Sequence, residues 1–272
     1  MTLRPTSRLP LHRHHSSLAR FCESADHYKA KDNFFTLIQE NPHDEYLALV
    51  LRQRSMSQET GPELEGVTQY QLDFKNAQPP DWSLCSELNA WRRVLFLLNL
   101  TGEDRNRYGG LAYGNVSRRI SADRFLISGT QTGGLPHLSS KHYSRVNHCD
   151  VSRNLILAEG TIPPSSEALT HGAAYLASST IKCVLHVHSP EVWTNADSLG
   201  IAITDPTVTY GTPTMAASVA ALLRDNPFQV IAMGGHKDGI LSCGPSPESA
   251  AQRLIHMLAR AIKLASTRNC ME

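Results

Sequence analysis

The chain lacks an excess of charge of either sign. Its 26 lysine and arginine residues stand against 25 acidic ones, a formal net charge of +1, so there is no broad field to attract nucleic acid or an anionic membrane. Neither is expected as a partner. Paired cysteines are missing too: the six at 22, 85, 149, 183, 243 and 270 never form a C-x-x-C, which removes a redox motif or zinc ribbon and leaves them reading as reduced thiols. No apolar run approaches the roughly 20 residues of a membrane helix. The longest obvious cluster is Val94-Leu95-Phe96-Leu97-Leu98. There is no Walker loop, no G-x-G-x-x-G opening a helix, no G-x-S-x-G and no internal repeat, which disfavours the corresponding nucleotide-binding, serine-hydrolase and solenoid readings.

What is present is ordinary globular composition, 41% hydrophobic with 17 glycines and 15 prolines, and a length of 272 residues that suits one large domain or two small ones. The first 22 residues carry four arginines and no acid, a composition shared by basic tails and by organellar transit peptides. A cytoplasmic location is the expectation, with organellar targeting as its alternative. Residues 1–80 are short of sustained apolar periodicity and end in a polar, proline-bearing stretch, so they read as an appendage, partly disordered or with short helices over 32–39 and 45–54. Residues 81–272 read as the main domain.

In that domain Leu84, Leu88, Trp91, Leu95 and Leu98 line one helical face, with Gly102 placed to end the helix. A β-hairpin over 114–121 and 124–128 leads into the glycine- and threonine-rich loop 129–134. Helices are predicted over 165–177, 215–224 and 247–266, the last capped by Ser246 with Pro247 at its first position. Strands are predicted over 181–188 and 228–233. This imperfect alternation indicates a layered α/β domain with a mixed sheet.

Thirteen histidines are the unusual count, but five of them (12, 14, 15, 27 and 43) fall in the appendage. The informative pair is His186-Val187-His188, because residues i and i+2 of a strand share a face and two imidazoles can converge on one ion. Alone, H-x-H fits a structural pair equally well. His236 follows a predicted strand through Gly234-Gly235, where a site can be assembled or a simple turn made. Glu167 sits beside Ser165 and Ser166 at a helix start, where free N–H groups favour an anion. Those serines could hold a phosphate while Glu167 serves as metal ligand or general base, or the group is an ordinary helix cap. His171 lies one turn on. The segments 108–115 and 129–134 are rich in residues that expose backbone N–H groups to anions.

The ordered set GNVSRR (114–119), LISGTQTGG (126–134), PSSEALTHGAAY (164–175), VLHVHS (184–189), YGTP (210–213) and GGHKDG (234–239) resembles the class II aldolase/adducin family. The resemblance, over 84–264, implies a three-layer α/β/α sandwich around a mostly antiparallel sheet and a homo-oligomer, usually a tetramer. It also implies Zn2+ or another divalent transition metal held by His186, His188 and His236, with Glu167 as ligand or catalytic base. Gly114 and Asn115, Thr132 and Gly133, and Ser165 and Ser166 match the phosphate-binding turns. The segment between His188 and YGTP is short, only 21 residues, and the expected catalytic tyrosine has no evident counterpart, leaving Tyr210 and Tyr175 as candidates.

The reading that follows is a metal-dependent aldolase, a carbon–carbon lyase acting through a metal-stabilised enediolate on a small sugar phosphate or similar hydroxy-carbonyl substrate. The alternatives are a ketose-phosphate 4-epimerase or dehydratase of the same family, or a non-catalytic adducin-like interaction module.

Overall fold

The structure, a computed structural model, describes residues 66–269. The helices expected over 32–39 and 45–54 lie outside the described residues. The chain begins with strand β1 (Gln71–Asn76) and helix α1 (Trp82–Leu97), followed by the short strands β2 (Gly102–Glu103) and β3 (Ala112–Tyr113). Next come β4 (Asn115–Arg119), β5 (Phe125–Ser128), β6 (Tyr143–Asp150), β7 (Leu155–Gly160), α2 (Ala168–Ala177) and β8 (Cys183–His188). The remainder is α3 (Pro190–Thr194), α4 (Ala196–Leu199), β9 (Ala202–Ile203), α5 (Pro213–Asp225), β10 (Val230–Ala232), β11 (Gly239–Gly244) and α6 (Pro247–Asn269).

Nine strands form one sheet in the order β1-β7-β6-β5-β4-β8-β11-β10-β9, and β2 and β3 form a separate ladder. The sheet is mixed: β1 runs parallel to β7 and β9 parallel to β10, with antiparallel pairs between them. β1 falls on the appendage side of the boundary expected at residue 80. Its signal is a short period-two alternation, with Leu72 and Phe74 packed on the core and Gln71, Asp73 and Lys75 exposed.

β8 is central, so both its faces are covered and its sequence reads as a continuous apolar run. Cys183, Leu185 and Val187 join a cluster containing Leu88 and Leu95 of α1 and Ala250, Ala251 and Leu254 of α6. Val184 joins the opposite cluster, with Leu169 and Ala173 of α2 and Met215 and Val219 of α5. Each fully buried leucine or valine contributes roughly 1.5–3 kcal/mol, and alternation places His186 and His188 with Val184, on the α2/α5 face.

Three local predictions change in detail. The buried side of α1 is Cys85, Leu88, Arg92 and Leu95, while Leu84 and Leu98 are exposed. Asn99, not Gly102, takes the left-handed backbone after that helix, at φ 57°. Helix α2 starts at Ala168, so Glu167 is its N-cap residue and Ser165 and Ser166 lie in the turn before it. The cap of α6 is as expected, with the Ser249 N–H donating to Ser246 Oγ at 3.1 Å.

Candidate metal centre and adjoining polar pocket

His186 and His188 project from one face of β8. His236 reaches them because β10 and β11 form an antiparallel hairpin and β11 pairs with β8, setting Gly239 opposite His188. The connecting turn is tight, with the His236 N–H bonded to the Met233 carbonyl at 3.0 Å and the Gly239 N–H to the His236 carbonyl at 2.9 Å. The two glycines before His236 are required by space. A Cβ on Gly234 would stand 2.2 Å from the Thr204 carbonyl oxygen, and one on Gly235 2.0 Å from that of Val208.

The three imidazoles are buried, and one nitrogen from each lies within 4.8 Å of the others. Their ring centroids are 4.8–5.1 Å apart. Burial pushes His188 well below its ordinary pKa, with His236 and Arg107 adding to the effect. The ring is therefore neutral and keeps a lone pair for a cation. Three imidazoles beside a carboxylate suit a divalent transition metal.

Glu167 is fully buried, with Oε1 3.8 Å from His236 Nδ1. A carboxylate so enclosed requires compensation by neighbours. Tyr70, whose phenol donates to the Ser165 carbonyl at 2.8 Å, is pushed far up in pKa by burial and then by the charge of Glu167. On the other side, Asn115 of β4 stands opposite His186 in register, with Nδ2 3.2 Å from His186 Nδ1.

Aromatic rings wall the histidines. Tyr210 stacks on His236 with centroids 4.5 Å apart at 27°, and its hydroxyl accepts from the Val67 N–H at 3.2 Å. Tyr108 meets His188 edge-on at 4.5 Å, with Tyr113 at 5.4 Å. The Tyr108 phenol donates to Asp238 at 2.7 Å, and Arg107 pairs with Asp238 at 3.3 Å while lying over both tyrosine rings. Tyr175, by contrast, belongs to a buried network in which Ser117 Oγ lies 2.7 Å from both the Tyr175 hydroxyl and His171 Nδ1. His171 thus engages Ser117 through its ring, and its N–H donates to the Glu167 carbonyl at 3.0 Å.

Next to the histidines lies a small polar pocket. Gly114, Asn115, Thr132, Gly133, Ser165 and Ser166 all line it, so the three turns singled out in the sequence converge on one space. Glycine is needed at two of these positions. Gly114 has φ 79°, and a Cβ on Gly133 would stand 2.2 Å from the Tyr113 carbonyl oxygen.

Tyr108, Tyr113, Arg107, Asp238, Tyr70 and Arg92 are not singled out individually by the sequence. Tyr108 and Tyr113 do lie in the 108–115 segment, and Asp238 in the GGHKDG motif, but nothing local indicates which rings face His188.

A family model described as Class II Aldolase and Adducin N-terminal domain matches residues 103–265. The chain belongs to that family. Among solved structures it is similar to L-fuculose-1-phosphate aldolase from Thermus thermophilus, with TM-score 0.53 and 18% identity over 69% of this chain and 95% of that one. It is also similar to a sugar-phosphate aldolase from Thermotoga maritima, with TM-score 0.54 and 12% identity over 70% and 97% of the two chains. At such identities these likenesses speak for the fold. A search of curated proteins finds no match.

Proposed function

We propose that the chain is a divalent-metal-dependent lyase of the class II aldolase type, cleaving a carbon–carbon bond in a small, phosphorylated hydroxy-carbonyl compound. The observation that carries this reading is the adjacency of three convergent buried histidines and buried Glu167 to a polar pocket, joined through Asn115 and the Ser166–Glu167 peptide.

His186, His188 and His236 would hold Zn2+ or another divalent transition ion. Such an ion, when bound, supplies Lewis-acid stabilisation of the negative charge that develops on oxygen as the bond beside a carbonyl breaks. Glu167 adjoins His236 and is placed to act as a further ligand or to take up and return a proton. The phenols nearest the histidines, Tyr108 and Tyr210, are the candidates for the remaining proton transfer; Tyr175 is committed to Ser117.

The pocket would take the phosphate, Ser165 and Ser166 offering hydroxyls and the 131–133 segment backbone N–H groups. Thr132 Oγ1 donates to the Gly129 carbonyl at 2.7 Å, so this hydroxyl shapes the loop. Helices packed on both faces support reading the domain as a three-layer sandwich. Family membership supports a homo-oligomer, which we take to be a tetramer. The free cysteines among the described residues and the near-zero net charge are consistent with our placing it in the cytoplasm.

The test combines metal analysis with product analysis. Full-length protein loaded with Zn2+, Mn2+ or Co2+ is expected to retain about one ion per chain and to cleave a member of a ketose-phosphate panel into two fragments. His186→Ala is expected to lose both properties. An epimerised or dehydrated single product would replace the lyase reading with the corresponding family reaction. Failure to bind any of these metals would favour a non-catalytic module.

A further inference from the structure

The 129–135 loop is held from behind by a buried cation that does not line the pocket. Arg92 projects from α1 and is 2% exposed. Its Nη2 donates to the Thr132 carbonyl at 2.9 Å and the Gly133 carbonyl at 2.6 Å, and its Nη1 to the Leu135 carbonyl. No acidic side chain pairs with Arg92 among the described residues, so the carbonyl ends of loop peptides take the place of a counter-ion.

This arrangement dictates where the opposite ends of those peptides point. All the peptide bonds among the described residues are trans, and in a trans peptide the carbonyl and the following N–H are directed oppositely. With the Thr132 and Gly133 carbonyls drawn to Arg92, the N–H groups of Gly133 and Gly134 face away from it. Among the described residues, the N–H groups of Gln131, Thr132 and Gly133 donate to no protein acceptor, although all three residues line the pocket. A row of uncommitted N–H groups is an anion-binding feature. The loop is braced elsewhere by the Ala112 N–H, which donates to Gln131 Oε1 at 3.0 Å, and by Gly133 lying close against the Tyr113 backbone.

We infer that Arg92 is a positioning residue for anion binding: by gripping the Thr132 and Gly133 carbonyls it turns the Gly133 N–H toward a phosphate in the pocket and fixes the loop that carries the neighbouring Gln131 and Thr132 N–H groups, without touching that phosphate itself. The inference rests on reading the pocket as a phosphate site. It assigns to a buried arginine on α1 a part in substrate selection, and it places a positive charge behind the loop whose field reinforces the N–H dipoles in front.

Arginine is suited to this task because one planar fork reaches several acceptors at once, which a lysine cannot do. Burial lowers the Arg92 guanidinium to about 10, still charged near neutrality. Loss of the side chain would free the Gly133 and Leu135 carbonyls, leave the Thr132 carbonyl with the Leu135 N–H alone, and allow the loop peptides to rotate.

The test is calorimetric titration of inorganic phosphate into full-length, metal-loaded protein, with metal content measured in parallel. Wild-type protein is expected to bind phosphate. Arg92→Met is expected to weaken that binding at least tenfold while metal stoichiometry is unchanged, a separation that general loss of structure would not give. Arg92→Lys, which keeps the charge but not the fork, is expected to fall between the two and decides the matter if Arg92→Met does not fold. Phosphate affinity equal to wild type in the folded variants overturns the role of Arg92 and leaves the pocket reading intact. Absence of phosphate binding by wild type, with metal bound, overturns the pocket reading and this inference together.

Discussion

Asn115 and His186 face each other across neighbouring strands, with the Asn115 amide nitrogen 3.2 Å from His186 Nδ1. Asn115 also lines the polar pocket, so one side chain touches both halves of the site. An amide against Nδ1 selects which imidazole nitrogen carries the proton, and the other oxygen-or-nitrogen face of the same amide reverses that choice. As placed, the amide nitrogen donates to Nδ1 and the ring proton sits on Nε2; turning the amide so that its oxygen meets Nδ1 frees the Nε2 lone pair for a cation, so Asn115 sets which nitrogen is available.

Asn115→Ala is therefore expected to weaken metal binding by about 10–100-fold, the range for loss of a group that orients a ligand. Competition with a chromophoric chelator would measure it. An affinity equal to wild type would mean that the His186 ring is held sufficiently by strand packing alone.

Gly235 gives a second expectation. Because an added Cβ would stand 2.0 Å from the Val208 carbonyl oxygen, Gly235→Ala must displace the turn that carries His236. A loss of about 1–3 kcal/mol is expected from the overpacking, together with reduced metal occupancy even in the folded fraction. Urea denaturation and metal analysis on the same preparation check both parts.

Legibility of the site from sequence depends on where its geometry is local. His186 and His188 are two residues apart on one strand, so periodicity alone places them together. His236 needs the β10–β11 hairpin, whose only local sign is Gly-Gly before the histidine. Strands β6 and β7 are hard to see in the sequence although Leu155–Gly160 alternates in burial, because Asn147 and His148 interrupt the preceding run. Arg92 is hidden for a different reason. A charged residue on an amphipathic helix reads as solvent-facing, and only the three carbonyls of a loop some 40 residues away in sequence explain its burial. The tyrosines around His188 are equally invisible, since ring contacts depend on tertiary packing.

The two faces of β8 should separate stability from metal binding. Leu185 is fully buried on the α1/α6 side, opposite to the direction of His186. Leu185→Ala is expected to cost about 2–5 kcal/mol through the cavity it leaves. The folded protein should still hold its metal, as measured by stoichiometry under native conditions. Equal loss of stability and of metal would show the two faces to be coupled through the strand.

His171 provides a pH-dependent expectation. Burial lowers its pKa from the ordinary 6.5 to about 3, and Ser117 engages its ring. The unfolded chain takes up a proton on this imidazole below about pH 6.5, whereas the folded chain does not until about pH 3. The unfolded state thus binds more protons in that window, so stability is full above about pH 6.5 and declines as the pH falls toward about 3. At pH 5 this single group should cost about 2 kcal/mol relative to pH 8. Replacing it by glutamine, which retains a polar end for Ser117 but does not titrate, should remove that part of the slope. Other ionisable groups contribute equally to both chains, so the difference between wild type and His171→Gln in urea midpoint, compared at pH 8 and pH 5, isolates the histidine. Parallel pH profiles in the two chains would mean that His171 becomes solvated and protonated within the folded state.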